Sequence, residues 1–242
     1  MITVNTAVVL AGGQGTRLRS MVSDRPKPMA LVNGKPFLER LLDYWHAQGI
    51  KRFVLAVGYM HEIIIEYFSG INTGYSLDYL IEKEPLGTGG GLIASLRLLG
   101  KENNFLLFNG DTFLGVQLDQ LLKNMTAADA DMCMALIPVI QKGRYSAVSC
   151  DEDTGRVTGF GEVEGGASQL KFSNGGVYLL NKQIFNDRPY RKGIHLSFER
   201  DLLPEFLTNG VPIVSLKSGD TFVDIGVPKD YVFAQTLREL GA

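Results

Sequence analysis

Residues 6–17 read TAVVLAGGQGTR. An apolar, β-branched run stops at Gly12, Gly13 and Gly15, and Thr16 and Arg17 follow at once. The first part predicts a buried strand. The second predicts a loop in which backbone N–H groups reach an anion, because glycine carries no Cβ and a nearby cation completes the charge. Two common phosphate loops are excluded. GxxxxGK[ST] is missing, and the GxGxxG dinucleotide fingerprint that Gly13 and Gly15 begin fails at Leu18. A dinucleotide-dependent oxidoreductase is therefore a poor reading.

Outward from this loop, short strands alternate with helices. PFLERLLDYWHAQGI (36–50) places Phe37, Leu38, Leu41, Leu42 and Trp45 on one helical face. RFVLAVGY (52–59) reads as a strand and HEIIIEYFSG (61–70) as a helix closed by Gly70. SLDYLIEKE (76–84) alternates, with Leu77, Tyr79 and Ile81 on one side. GTGGGLIASLRLLG (87–100) starts loosely and becomes a helix, and NFLLFNGD (104–111) suits a strand buried on both faces. This rhythm predicts a mostly parallel sheet with helices on both sides. Further on, YSAVSCDEDTGRVTGF (145–160) reads as a hairpin around 153–155. FSNGGVYLL (172–180) and PIVSLKSG (212–219) read as strands, SFERDLLPEFL (197–207) as a helix, and a last helix runs from Lys229 towards Leu240. No linker divides the chain, which predicts one domain. Ligands of open sheets bind at the carboxyl ends of the strands, where GGQGTR, VGY and NGD fall.

Composition narrows the class. The chain has 242 residues, a net charge of -2 and 45% apolar residues, the profile of a globular protein with a substantial core. Without a clustered basic surface, nucleic acid is not expected as a partner. Cys133 and Cys150 are too few and too far apart for a disulfide or metal framework, which points to a reducing, cytoplasmic setting. MITVNTAVVLAGG has no basic leader and is too short to cross a bilayer, so a first strand is expected and no membrane association. A homo-oligomer stays open.

Lys27 lies between Pro26 and Pro28 in RPKPM. Both prolines restrict the backbone, so Lys27 is expected on a stiff, extended segment. With Arg17 it supplies two fixed cations for a polyphosphate, one a compact ammonium and one a forked guanidinium.

LAGGQGTRLRSMVSDRPKPM (10–29) resembles the signature of the sugar nucleotidyltransferases, which make NDP-sugars from an NTP and a sugar 1-phosphate. EKEPLGTGGG, FNGDTF, FSNGGVYLL and FVDIGVP follow in that family's order along essentially the whole chain. Its SDRPKPMALVNGKPF and EPLGTGGGL segments are most similar to the D-glycero-α-D-manno-heptose 1-phosphate guanylyltransferases. Mannose-1-phosphate guanylyltransferases and N-acetylmuramate-1-phosphate uridylyltransferases are close competitors. The resemblance implies a Rossmann-like three-layer α/β/α sandwich with a mixed, mostly parallel sheet, of the nucleotide-diphospho-sugar transferase type. It implies a nucleotide half of about 1–115 and a sugar half of about 116–242, with Leu10, Ala11, Gly12, Gly13, Gly15 and Thr16 binding nucleotide.

The same resemblance implies roles for other residues. Asp111 and Asp224 end apolar runs at positions the family uses for Mg²⁺, which favours one or two carboxylates plus phosphates and water; Asp220 is read as a turn residue. Glu82 stands where the family reads the base. An ionised carboxylate accepts only, and guanine offers N1–H and N2–H together, so Glu82 favours GTP over UTP. Gly87 and Thr88 add backbone contacts. On the sugar side Glu162 and Asn174 match sugar-binding positions. The family's lysine after the glutamate is Val163 here, with Lys171 as substitute phosphate ligand, and Ser146 replaces a common glycine. His46 and His61 are expected on helix surfaces, and His195 near the sugar without a role.

The implied reaction is attack of a sugar 1-phosphate oxygen on the α-phosphorus of GTP with loss of pyrophosphate. Arg17 is expected on the leaving group and Lys27 between the α-phosphate and the incoming phosphate. A non-catalytic regulatory relative that binds the same ligands is the rival from another class.

Overall fold

The opening run becomes the middle of a sheet because both its faces are apolar. β1 (Thr6–Ala11) is followed by β2 (Leu31–Val32), β3 (Lys35–Pro36), helix α1 (Phe37–Ala47), β4 (Arg52–Val57), α2 (His61–Ser69) and β5 (Ser76–Ile81). Next come α3 (Gly87–Ser95), β6 (Asn104–Asn109), β7 (Thr112–Leu114), α4 (Leu118–Ala127), β8 (Met132–Pro138), β9 (Ala147–Cys150) and β10 (Val157–Phe160). The chain closes with β11 (Phe172–Asn181), α5 (Leu203–Thr208), β12 (Ile213–Lys217), β13 (Phe222–Asp224) and α6 (Pro228–Thr236). The computed structural model describes residues 2–138, 146–161, 172–186, 188, 190, 193–218 and 221–237.

Among these residues the sheet runs β5-β4-β1-β6-β11-β8-β12, and β9 and β10 extend it from the first residues of β11. β5, β4, β1 and β6 are parallel, and β11 runs against both β6 and β8. The sheet is mixed and mostly parallel, as expected. Alternate side chains feed two cores. Ala7, Val9, Phe53, Leu55, Leu106 and Phe108 face α1, α2 and α4. Val8, Val54, Phe105, Leu107 and Tyr178 face α3 and α5. These layers make the three-layer sandwich. Phe105 to Phe108 are wholly buried, and each such side chain contributes roughly 1.5–3 kcal/mol relative to exposure. The predicted face of α1, from Phe37 to Trp45, is the face it buries.

Two local expectations are corrected. In β5 it is Leu80 that is buried, Leu77 and Tyr79 are half-buried, and Ile81 is 46% exposed. As an edge strand β5 is only partly covered on either face. The second correction concerns GTGGG, which is helical from Gly87 onward. Glycine is a poor helix former, and tertiary packing overrides that here. A Cβ on Gly87 would lie 2.4 Å from the Leu196 carbonyl oxygen, and one on Gly90 would lie 2.6 Å from that of Ile194. The bare helix face lets residues 194–197 lie against it, and the Gly89 and Gly90 N–H groups donate to the Leu196 carbonyl.

Candidate active site

β1 delivers Leu10 and Ala11 to the carboxyl edge of the sheet, where the glycine loop begins. Gly15 has φ +59°, and a Cβ there would sit 2.8 Å from Cβ of Lys27. Glycine is thus required twice, for the left-handed backbone and for the approach of the lysine segment. Thr16–Leu18 form one tight turn that buries Leu18 and leaves Thr16 and Arg17 exposed. Lys27 is stiffly held, but in a turn rather than an extended segment. The N–H groups of Met29 and Ala30 donate to the Pro26 and Lys27 carbonyls, and an extended chain would leave these buried donors unpaired.

The lysine side chain is 9% exposed and points at two carboxylates. Its Nζ lies 2.5 Å from Asp111 Oδ2 and 3.6 Å from Asp224 Oδ1. Asp111 sits in the turn between β6 and β7. Asp224 arrives from the far end of the chain because β13 pairs antiparallel with β7, placing it opposite Thr112. The Gly226 N–H donates to Asp224 Oδ1 (2.7 Å) and the Thr112 hydroxyl to Asp111 Oδ1 (3.1 Å). No cluster of three or more acidic, histidine or cysteine ligands occurs among the described residues. A metal here would find two carboxylates that it shares with Lys27 Nζ, and one or two carboxylates completed by phosphate oxygens and water suit Mg²⁺.

Two cavities of about 220 and 240 Å³ meet at Arg17, Lys27 and Asp111. The first is walled by Leu10, Ala11, Gly13, Gly15 and Thr16. The second is walled by Asn109, Ser146, Asn174, Tyr178, Glu199 and Asp224. A pair of spaces joined by two cations and an acidic pair can hold two phosphate-bearing ligands with their phosphates in contact. Residues 6–239 match the sequence pattern of the family described as Nucleotidyl transferase. The chain belongs to that family.

Among relatives of this nucleotidyl transferase, D-glycero-α-D-manno-heptose 1-phosphate guanylyltransferase of Campylobacter jejuni is 42% identical over 228 residues, 93% of this chain and 96% of that protein. The enzyme of the same name from Aneurinibacillus thermoaerophilus is 41% identical over 230 residues, 95% and 96% of the two chains. A crystal structure of HddC from Yersinia pseudotuberculosis complexed with GMP-PN superposes with a TM-score of 0.80 at 35% identity, covering 96% of this chain and 99% of that one.

Glu82 follows β5 and turns back against the glycine loop. A Cβ on Gly12 would lie 3.0 Å from its Oε1 and one on Gly91 would lie 2.7 Å away, so both glycines make room for the carboxylate. The Leu86 N–H donates to Oε2 (3.1 Å). Burial raises the Glu82 pKa, opposed by the Leu86 N–H and by the nearby His195. Gly87 opens α3 beside it. His195 lies on this side of the nucleotidyl transferase rather than in the second cavity: its Cε1 would be 3.2 Å from a Cβ on Gly87. His46 and His61 are half-buried and bond backbone carbonyls, of Ile50 (2.8 Å) and Gly58 (3.0 Å), in structural roles.

Asn174 reaches the second cavity and is 7% exposed. Its Nδ2 donates to Tyr178 Oη (2.6 Å) and its Oδ1 accepts from the Gly176 N–H (3.0 Å). Glu162 and Lys171, with Val163, lie outside the described residues. Sequence reasoning missed Tyr178 and Glu199. In sequence Tyr178 is one apolar residue of a buried strand, and Glu199 is one acid after Ser197 at a helix start. The pattern that could have flagged Glu199, Ser-x-Glu before an apolar run, reads equally as a helix cap.

Proposed function

We propose that this nucleotidyl transferase is a sugar-1-phosphate guanylyltransferase that moves GMP from GTP to D-glycero-α-D-manno-heptose 1-phosphate and releases pyrophosphate. The observation that carries the reading is Lys27, held between Asp111 and Asp224 where the two cavities meet. The names of its relatives supply the substrate pair. The GTP phosphates lie along Leu10–Thr16, whose glycines let backbone N–H groups approach them. Glu82, backed by Gly12 and Gly91, accepts from N1–H and N2–H of guanine, and Gly87 and Thr88 add backbone contacts.

The nucleophile is a phosphate oxygen that is already anionic, so no general base is needed. Its new bond to the α-phosphorus forms as the α–β bridging bond breaks, and the electron pair leaves with pyrophosphate. Arg17 stabilises the leaving charge, and Lys27 bridges the α-phosphate and the incoming phosphate. Catalysis is then orientation and charge neutralisation. Mg²⁺ held by Asp111 and Asp224 would supply further charge neutralisation at the phosphates. Asn174 belongs to the sugar wall, and the resemblance adds Glu162 and Lys171. The nucleotide half (about 1–115) and the sugar half (about 116–242) are read as one domain, and the pairing of β6 with β11 across that boundary supports the reading. The two cysteines, neither in a disulfide, suit a cytoplasmic enzyme.

The test is pyrophosphate release from four NTPs, each with a panel of sugar 1-phosphates and Mg²⁺. The highest kcat/KM is expected for GTP with the heptose 1-phosphate. No release with any pair would leave a binding protein and refute the proposal. Replacing Glu82 by Gln should lower kcat/KM for GTP ~10–100-fold, as loss of a charge-assisted pair does, and narrow the gap to UTP.

A further inference from the structure

Thr88 and Glu199 are 111 residues apart in sequence and touch where α3 meets the wide helical turn at Phe198–Leu202. Thr88 Oγ1 donates to Glu199 Oε2 (2.7 Å) and accepts from the Phe198 N–H (2.8 Å). Ser197 Oγ donates to the same carboxylate oxygen (3.1 Å) and accepts from the Arg200 N–H (3.1 Å). A hydroxyl has one proton to give, and both hydroxyls direct it at Oε2. Oε1 takes neither bond. Glu199 lines the second cavity together with Tyr178. Tyr178 Oη already accepts from Asn174 Nδ2, which leaves the phenol proton for a different acceptor. One wall of the cavity thus offers an acceptor, Glu199 Oε1, with the wholly buried Tyr178 behind it. A carboxylate oxygen in that position recognises a hydroxyl of a sugar.

The backbone carrying Glu199 is fixed from the nucleotide half. The Leu196 N–H donates to the Leu86 carbonyl (2.9 Å), and its carbonyl accepts from Gly89 (2.8 Å) and Gly90 (3.2 Å). Thr88 adds the only side-chain hydroxyl that α3 contributes to this seam among the described residues. We infer that Thr88 is a positioning residue for the sugar side: its hydroxyl locks the Glu199 carboxylate so that Oε1 accepts from a hydroxyl of the sugar 1-phosphate. This rests on the proposed guanylyltransferase reading and concerns the Thr88 side chain alone, leaving its backbone free to serve the nucleotide.

The experiment measures KM for GTP and for D-glycero-α-D-manno-heptose 1-phosphate separately, with Mg²⁺, in wild type, Thr88→Val, Thr88→Ser, Glu199→Gln and the Thr88→Val/Glu199→Gln pair. Thr88→Val should raise KM for the sugar phosphate ~10-fold and leave KM for GTP within ~2-fold, as expected for loss of one charge-assisted bond on one substrate. Thr88→Ser, which keeps the hydroxyl, should behave like wild type. The double variant should be no worse than Glu199→Gln, because the two residues act as a unit. A rise in KM for GTP with an unchanged sugar KM, or multiplicative losses in the double variant, overturns the assignment. Should Thr88→Val not fold, Thr88→Ala serves with the same expected split. Wild type that turns over no pair of substrates overturns the guanylyltransferase reading itself, an outcome distinct from active wild type with multiplicative losses.

Discussion

Lys27 shows what one side chain does in this site. With its Nζ 2.5 Å from Asp111, 3.6 Å from Asp224 and 3.1 Å from where a Cβ on Gly226 would stand, it fills its space. Lys27→Ala should lower kcat by ~10²-fold or more, the range for loss of a preorganised charge, and wild-type turnover in that variant refutes its role. Lys27→Arg should fail similarly, since a planar fork does not fit where a point charge sits. Glu82 makes a different prediction. Burial raises its pKa, so the fold favours the protonated form. That stabilisation is complete below the unfolded-state pKa and is lost as pH rises through the higher folded value. Above that folded value the wild type carries a buried charge that Glu82→Gln does not. The variant should melt at higher temperature than wild type at neutral pH, and the gap should close on acidification. A constant gap across pH argues against the charge as its cause. Arg17, Lys27, Asp111 and Asp224 were singled out in sequence one by one, and the fold brings them around one cavity. The glycine turn at Gly15, packed on Lys27, was legible only in part, because sequence shows the missing Cβ and not what takes its place.

The decisive element is α3. Its glycine-rich first turn defied the propensity-based expectation because residues 194–197 occupy the volume that side chains would have taken. Gly90→Ala puts a Cβ 2.6 Å from the Ile194 carbonyl oxygen and 2.9 Å from Leu86 Cβ. It should destabilise the protein by ~1–3 kcal/mol, as overpacking does, read as a lower urea midpoint. Gly13→Ala is the control, since a Cβ there meets nothing within 4 Å. Equal losses in the two variants would show that the docked segment contributes nothing. Elements with a strong period, such as α1 and β6, were legible because burial on one face or on both imposes a pattern on the residues themselves. The buried side of β5 and the first turn of α3 were not, because an edge and a docking seam are defined by what lies beside them.

At the scale of the molecule, two cavities share Arg17, Lys27 and Asp111, so nucleotide and metal should report on the whole fold. GTP with Mg²⁺ at ~100 times Kd should add about 2.7 kcal/mol to the unfolding free energy, and UTP at the same concentration less. Identical melting shifts for the two nucleotides would remove Glu82 as the base reader. Chelation by EDTA should abolish pyrophosphate release and be reversed by added Mg²⁺. The sequence by itself determined the alternation of strands and helices, the mostly parallel sheet and the glycine turn that closes TAVVLAGGQGTR. These follow from local pattern, since periodicity, glycine and proline constrain the chain wherever it folds. Only the tertiary structure decided which distant residues meet. Lys27 reaches Asp111 across 84 residues, and Thr88 reaches Glu199 across 111. Sheet order and the close approach of glycine backbone bring these partners together, and neither is written in any single segment.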